Sequence, residues 1–215
     1  SVKSTEEYFL SQRSKANKII SFIDNISVVK SVLELGCGTG GILSKFKDLG
    51  CDVLGLDLNE LYLEEGTKQG ISVRKGSLEV LKIDEHFDCI ILNHVLEHLV
   101  NPREYLIRLA SFLTDDGILF LEVPSVDTIH DGSMGFNLFE FLTVSHCTHF
   151  TTKTLPMLME SSGYSMIKMN NSFEPIYALF RKSNLAEPPK ACQMSESLLH
   201  SSNMLRNILD YRPLL

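Results

Sequence analysis

Val32-Leu33-Glu34-Leu35-Gly36-Cys37-Gly38-Thr39-Gly40-Gly41 is an apolar run that gives way to a stretch in which four of six residues are glycine. The run predicts a strand over residues 31–35, and Gly41–Leu49 after it reads as a helix. Strand, glycine loop and helix in that order bring backbone close to a ligand, because only glycine accepts the required dihedrals without a Cβ clash. The helix then turns free N–H groups and the positive end of its dipole toward an anionic group. Gly36, Gly38 and Gly41 also satisfy G-x-G-x-x-G, which nicotinamide-binding folds share. A glycine-rich turn with no ligand uses the same letters.

The neighbours of the loop separate these readings. Glu34 lies in the strand, two positions before the first glycine. A carboxylate there can meet the cationic amino group of a methionine moiety, whereas it would repel a pyrophosphate. Asp57 closes the next apolar run, Val53-Leu54-Gly55-Leu56-Asp57. A carboxylate at that strand end can accept both ribose hydroxyls, as nucleoside-binding α/β folds require; the alternative for Asp57 is a place near a helix N-cap. Glu34, the glycines and Asp57 together favour a nucleoside joined to a cationic amino acid. S-adenosylmethionine is such a molecule.

Outward from the loop, short β-type runs alternate with longer helical patterns. Helices are predicted over Ser4–Asp24, Glu60–Gln69, Arg103–Leu113 and Thr152–Ser161. Strands are predicted over Asp52–Asp57, Ile71–Arg74, Asp88–Asn93 and Gly117–Val123. Two late runs, Ser165–Met169 and Ile176–Phe180, read as a hairpin. The alternation implies βαβ units and a parallel sheet covered on both faces, and the late pair adds a final antiparallel strand. The predicted organisation is an N-terminal helical lid over residues 1–28, a main domain over residues 29–183 and a helical appendage over residues 184–215. In the appendage, Glu196–Tyr211 carries an apolar face that packs on the main domain or on a second copy of the chain. The long stretch from Ser125 to Phe150 is expected to be an acceptor loop, because loops of that length are more often functional than accidental.

Composition narrows the partners. The chain of 215 residues carries a formal net charge of −7, which argues against a nonspecific grip on nucleic acid. Its five cysteines form no CxxC pair, so buried thiols in a reducing, cytoplasmic setting are expected rather than disulfides or a zinc site. No signal peptide is expected, nor any contact with a membrane, since no apolar run approaches the roughly 18 residues a spanning helix needs.

The loop Glu34-Leu-Gly-Cys-Gly-Thr-Gly40 resembles the first motif of class I S-adenosylmethionine-dependent methyltransferases, and Asp57 resembles their second. Gly76-Ser77-Leu78-Glu79 sits where that family places its adenine contacts, with Ser77 where the family often has Asp. The segment Phe87–Leu99 resembles the fourth-strand motif of the subfamily that includes ubiquinone-biosynthesis O-methyltransferases and sugar-modifying methyltransferases. The resemblance covers roughly residues 5–182. It implies a Rossmann-like, mostly parallel seven-stranded sheet with helices on both faces and a final antiparallel strand. It also implies a cofactor-binding set of Glu34, Gly36, Cys37, Gly38, Gly40, Asp57, Leu58, Ser77, Leu78 and Asn93, with Asn93 beside the methionine part of S-adenosylmethionine.

Histidines gather on the side where that cofactor belongs. His94 and His98 follow the fourth main strand; His146 and His149 lie in the long segment after the fifth. A hydroxyl acceptor must lose its proton, and histidine is the usual base near neutral pH. The run Ser145-His146-Cys147-Thr148-His149-Phe150-Thr151 also resembles a pattern of the same subfamily. His146, His94 and His149 are therefore the catalytic candidates, against structural alternatives in which Glu97 and His98 brace the loop and His149 caps the next helix. Asp127, His130 and Asp131 are weaker acceptor-site candidates. No metal is expected, because His94 stands where quinone-modifying relatives carry a glutamate. The expected reaction is methyl transfer to a small-molecule hydroxyl, such as that of a sugar. A nicotinamide-dependent oxidoreductase and a cofactor-binding interaction protein without turnover are the rivals.

Overall fold

The computed structural model describes residues 4–23, 26–127, 146–170 and 175–183. Most of the expected acceptor loop, including His130 and Asp131, and the whole C-terminal appendage lie outside the described residues.

Seven strands form one sheet: β1 (Ser31–Leu35), β2 (Asp52–Asp57), β3 (Val73–Lys75), β4 (Phe87–Asn93), β5 (Leu113–Val123), β6 (Tyr164–Met169) and β7 (Ile176–Lys182). Their order is β3-β2-β1-β4-β5-β7-β6. The first five strands in that order run parallel, and β7 runs antiparallel to both its neighbours. This is the expected Rossmann-like sheet. The chain begins at its middle, runs out to β3, then crosses back to β4. The order therefore reverses between β1 and β4, and ligands of open α/β sheets bind at the carboxyl ends beside such a reversal.

Among the described residues, five α-helices cover the sheet: α1 (Thr5–Phe22), α2 (Gly41–Asp48), α3 (Glu60–Lys68), α4 (Pro102–Leu109) and α5 (Thr154–Ser161). Strand alternation sends successive side chains to opposite layers. Val32, Cys89, Ile91 and Phe120 pack with Phe9, Ala16 and Ile19 of α1 and Ile42, Leu43 and Phe46 of α2. Leu33, Leu35, Ile90, Leu92, Leu119 and Leu121 pack with Leu106 and Leu109 of α4 and Leu155 and Met159 of α5. Both faces are dry, which is why β1, β4 and β5 read as near-continuous apolar runs.

Local chemistry sets the boundaries. Ser4 and Glu7 form a reciprocal capping box that starts α1. Thr151 caps the turn before α5, its Oγ1 accepting from Thr154 N at 2.9 Å. The predicted single helix over Arg103–Leu113 instead ends at Leu109, passes through a 3-10 turn at Ala110–Phe112 and enters β5 at Leu113. Thr114-Asp115-Asp116-Gly117 reads as a turn, yet it lies inside β5. Phe87 pairs with Leu113 while Cys89 pairs with Ile118, so the extra residues bulge out of the ladder. Ser125 bridges Phe150, and Val126 N donates to Phe150 O at 2.9 Å, which draws the two ends of the 125–150 segment together. Among the described residues, no helix is long and apolar enough to cross a membrane. Cys37, Cys51 and Cys89 are buried free thiols, and Cys147 is an exposed one.

Gly41, the third glycine of the G-x-G-x-x-G pattern, is where α1 touches α2. A Cβ there would run into the Phe9 carbonyl oxygen and would sit 2.7 Å from Gln12 Cβ and 2.9 Å from Arg13 N. Backbone cannot yield as a side-chain tip does. Gly41→Ala is accordingly expected to lower the unfolding free energy by about 1–3 kcal/mol, and to expose α1 to limited proteolysis first. An unchanged melting temperature would show that α1 does not bear on α2 in this way.

Candidate functional site

The site begins with three polar side chains on one layer of the sheet. Glu34 pairs with Ile91, and Asn93, two residues on, pairs with Glu122. Alternation therefore turns Glu34, Asn93 and Glu122 toward the same layer, the one α1 covers, at the carboxyl ends of β1, β4 and β5. Each is polar at the end of an apolar strand. Glu34 is fully buried, and neither of its carboxylate oxygens has a hydrogen-bond partner. Burial, with the charge of Asp57 adding to it, raises its pKa well above the usual carboxylate range. Asn93 Oδ1 is likewise buried without a partner. Unmet buried acceptors are rare in native proteins and call for an explanation. Here the matching group is a cation with N–H donors, such as the amino group of S-adenosylmethionine.

The glycine loop follows Glu34 directly in the chain. Gly36, Gly38 and Gly40 have φ of 67°, 55° and 75°, in the left-handed region that favours glycine. Cys37, between them, is buried, and its backbone N–H bonds Leu56 O at 3.0 Å, fastening the loop to β2. Asp57 accepts from Gly38 N at 2.7 Å and from Asn59 N at 2.8 Å. Each oxygen keeps a lone pair, so ribose hydroxyls can still be received. Leu58 beside it is 71% exposed, and Leu78 is buried. Ser77 does not stand free in the place of an aspartate: its Oγ and the Tyr105 hydroxyl of α4 share a hydrogen bond of 2.9 Å. The unmet acceptors of Glu34 and Asn93 fit the cationic amino group of such a methyl donor.

Gln12 and Tyr8 of α1 also belong to the site, and neither was picked out from the sequence. Gln12 is 4% exposed. Its Oε1 accepts from Thr39 Oγ1 at 2.7 Å, Thr39 N at 3.1 Å and Gly41 N at 3.3 Å, while its Nε2 donates to Cys37 O at 3.0 Å. Tyr8 stacks obliquely on Tyr62 at 5.1 Å, and burial together with the charges of Tyr62, Glu34 and Asp57 raises its phenol. The signal for Gln12 was present: it interrupts the apolar stripe Phe9, Ala16, Ile19 at helical spacing.

On the acceptor side, His94 sits at φ 54°, the one left-handed residue other than glycine among the described residues. Its ring bridges two buried carboxylates, Nδ1 to Glu97 Oε1 at 3.2 Å and Nε2 to Glu122 Oε1 at 3.5 Å. Hydrogen bonds to Glu122 and Glu97 raise its pKa to about 9, against the opposing effect of burial. Burial pushes the Glu122 carboxyl up, but His94, Lys18 and Lys15 outweigh it and hold the group below its usual range. Lys18 of α1 lies 3.8 Å from Glu122 and 3.9 Å over the Tyr177 ring. His94 is thus an imidazolium clamp at neutral pH. His98 and His146 pack edge to face at 4.9 Å, and His146 lies 6.3 Å from His149. One donor atom each from Glu97, His98 and His146 falls within 4.8 Å of the others. Three such groups at that spacing can approach a divalent cation, so the structure joins His146 to residues that the sequence reading kept apart from it.

Residues 9–169 match a family model described as a methyltransferase domain. Over 133 residues the chain is 29% identical to malonyl-[acyl-carrier protein] O-methyltransferase 2 of Ilyobacter polytropus, covering 59% of this chain and 51% of that protein. Over 102 residues it is 36% identical to a ubiquinone biosynthesis O-methyltransferase of Dechloromonas aromatica, covering 43% of each. It is 30% identical over 104 residues to (S)-coclaurine N-methyltransferase of Papaver somniferum, covering 43% of this chain and 29% of that one. The chain thus spans about half or less of the length of these relatives. In fold it is similar to magnesium protoporphyrin IX methyltransferase from Synechocystis, solved with bound SAH, at a TM-score of 0.62 and 15% identity over 85% of this chain and 90% of that one. With the family model over most of its length and the sheet, the glycine loop and the unmet Glu34 in agreement with it, this chain belongs to the S-adenosylmethionine-dependent methyltransferases of class I.

Proposed function

We propose that the protein moves a methyl group from S-adenosylmethionine to an oxygen of a small polar acceptor, with His146 taking the acceptor proton. The observation that carries the donor half is Glu34, sealed in β1 with two unmet oxygens. The donor supplies a methyl on a sulfonium, ready for in-line displacement. What the chain supplies is placement: Glu34 for the amino group, Asn93 beside the methionine part, Asp57 for the ribose, Leu58 and Leu78 around the adenine. Alignment of this kind lowers barriers strongly, with effective molarities of about 10⁵–10⁸ M in well-oriented systems.

Among the histidines, geometry favours His146 as the base. His94 is engaged on both nitrogens and stays protonated through neutral pH, so its work is to hold Glu97 and Glu122 in place. His146 stands on the far side of the same group, half-exposed and against His98, where an acceptor can reach it. The His149 ring lies 6.3 Å from it. A polar, histidine-lined acceptor site suits a hydroxyl, and the sugar-like class follows from the subfamily likeness.

Glu34 supports the first test. The unfolded chain releases that proton in the ordinary carboxyl range, whereas the folded, donor-free protein keeps it to higher pH. Folding therefore takes up a proton, and the contribution of Glu34 to stability falls as pH rises between the two values. Glu34→Gln is expected to raise the melting temperature of the free protein at pH 7 while weakening S-adenosylhomocysteine binding about tenfold or more by calorimetry, the loss of one charge-assisted hydrogen bond. Binding to the parent protein should also release a proton, seen as heats that depend on the buffer. Equal affinity in both proteins would remove Glu34 from the donor site.

The second test follows methyl transfer over a panel of sugars, phenols, carboxylates and amines. Transfer to a hydroxyl is expected, with His146→Ala lowering kcat by about 10²–10⁴-fold and a chelator leaving turnover intact. Transfer to amines alone would sink the oxygen assignment. Activity lost to the chelator and restored by a divalent cation would turn the Glu97–His98–His146 group into a metal site and end the proton-transfer role of His146.

A further inference from the structure

The head of α2 is a place where a phosphate would be expected to bind. It follows a glycine loop of G-x-G-x-x-G form, and its first N–H groups have no partner within the helix. In this chain Gly41 N, the first of them, and Thr39 N just before the helix are already engaged, and by a side chain from another element. Gln12 Oε1 collects Thr39 Oγ1, Thr39 N and Gly41 N, at 2.7, 3.1 and 3.3 Å. The same carboxamide turns its Nε2 toward Cys37 O at 3.0 Å and, more weakly, toward Tyr8 OH at 3.5 Å. Gln12 and Thr39 are both buried. A neutral amide oxygen thus sits where an anionic oxygen would otherwise be held, and the amide nitrogen ties the opposite side of the same loop.

We propose that Gln12 is a positioning and specificity-determining residue for the methyl donor: it sets the curvature of the glycine loop and denies the head of α2 to phosphate. Two further observations support the first half. A Cβ on Gly38 would stand 2.7 Å from Gln12 Nε2 and 2.9 Å from the Tyr8 ring, so α1 and the loop are fitted to one another with no side chain between them. Gly38 N in turn donates to Asp57, so a loop held by Gln12 also holds the carboxylate assigned to the ribose. The second half follows from counting donors. With two backbone N–H groups and one hydroxyl taken by Gln12, a pyrophosphate arriving there would have to displace a fully bonded, buried amide. Glu34 nearby holds its proton and so repels little; Gln12 removes the donors themselves.

This inference rests on the donor reading above, and the experiment separates the two. Calorimetry with S-adenosylhomocysteine and with inorganic pyrophosphate is run on the parent protein, Gln12→Met and Gln12→Glu. Methionine keeps most of the volume and none of the hydrogen bonds; glutamate keeps the acceptor and loses the donor to Cys37 O. The parent should bind S-adenosylhomocysteine and show no heat with pyrophosphate. Gln12→Met should bind S-adenosylhomocysteine about tenfold more weakly or worse and acquire measurable pyrophosphate binding, which a simple loss of stability would not create. Gln12→Glu should weaken S-adenosylhomocysteine similarly and still refuse pyrophosphate; it carries the positioning test by itself should the methionine variant not fold. Failure of the parent to bind S-adenosylhomocysteine overturns the donor reading. Unchanged affinity in both variants overturns the positioning role of Gln12, and a Gln12→Met protein that still excludes pyrophosphate overturns the specificity role.

Discussion

A carboxylate with no partner, buried in the middle of a parallel sheet, is the constraint around which the rest of this molecule is arranged. Glu34 occupies a strand position whose neighbours Leu33 and Leu35 are core residues, and its own layer is roofed by α1. An uncompensated charge in such a place is expensive enough that the group holds its proton instead. A strand built only for stability would carry valine there. The donor-free protein thus tolerates a defect that a cationic ligand corrects, and the free energy of that correction becomes available for binding.

The second electrostatic centre is the opposite case. Glu97 and Glu122 are buried too, yet His94 meets Oε1 of each and Lys18 from α1 meets Oε2 of Glu122, while Glu97 Oε2 has no hydrogen-bond partner. The backbone of His94 is forced to a positive φ, a conformation that costs about 1–2 kcal/mol for a residue other than glycine. Strain of this size persists only where surrounding contacts over-determine it, and two ion pairs from one ring supply that. The sheet therefore ends in two regions of different character along β1, β4 and β5. One is short of a cation; the other is already balanced. A donor bearing positive charge is drawn to the first, while the second is fixed by its own ion pairs.

Much of this was legible in the sequence because the strands are short and their ends are polar. Glu34 and Asp57 stood out as carboxylates closing apolar runs, and the structure places both beside the glycine loop. The sheet and its final antiparallel strand followed from the βα rhythm. Glu122 was visible in the same way, as a lone carboxylate in an apolar strand, but no role could be attached to it until β5 was paired with β4. The boundary of α4 was misread because Asp115-Asp116-Gly117 has the composition of a turn, and only the ladder shows it to be a bulge within a strand. The Glu97–His98–His146 group escaped for a different reason. Its members come from two segments nearly fifty residues apart, and the chain at the first of them makes a left-handed step and a 3-10 turn that no periodicity announces.

Gly41 shows how one letter can mislead and still be structurally decisive. In the dinucleotide pattern the third glycine permits close packing of the helix on its strand. Here the close neighbour is α1: the Phe9 carbonyl, Gln12 and Arg13 crowd the space that a Cβ would fill. The glycine is required in both settings, but it admits different things, and so the spacing G-x-G-x-x-G does not distinguish them. What distinguishes them is the polar residue in the stripe of the preceding helix. A chain that brings Gln12 to the head of α2 has already filled the anion site which the pattern advertises. The same glycines then serve a loop that faces an amino acid and a nucleoside, with no phosphate between them.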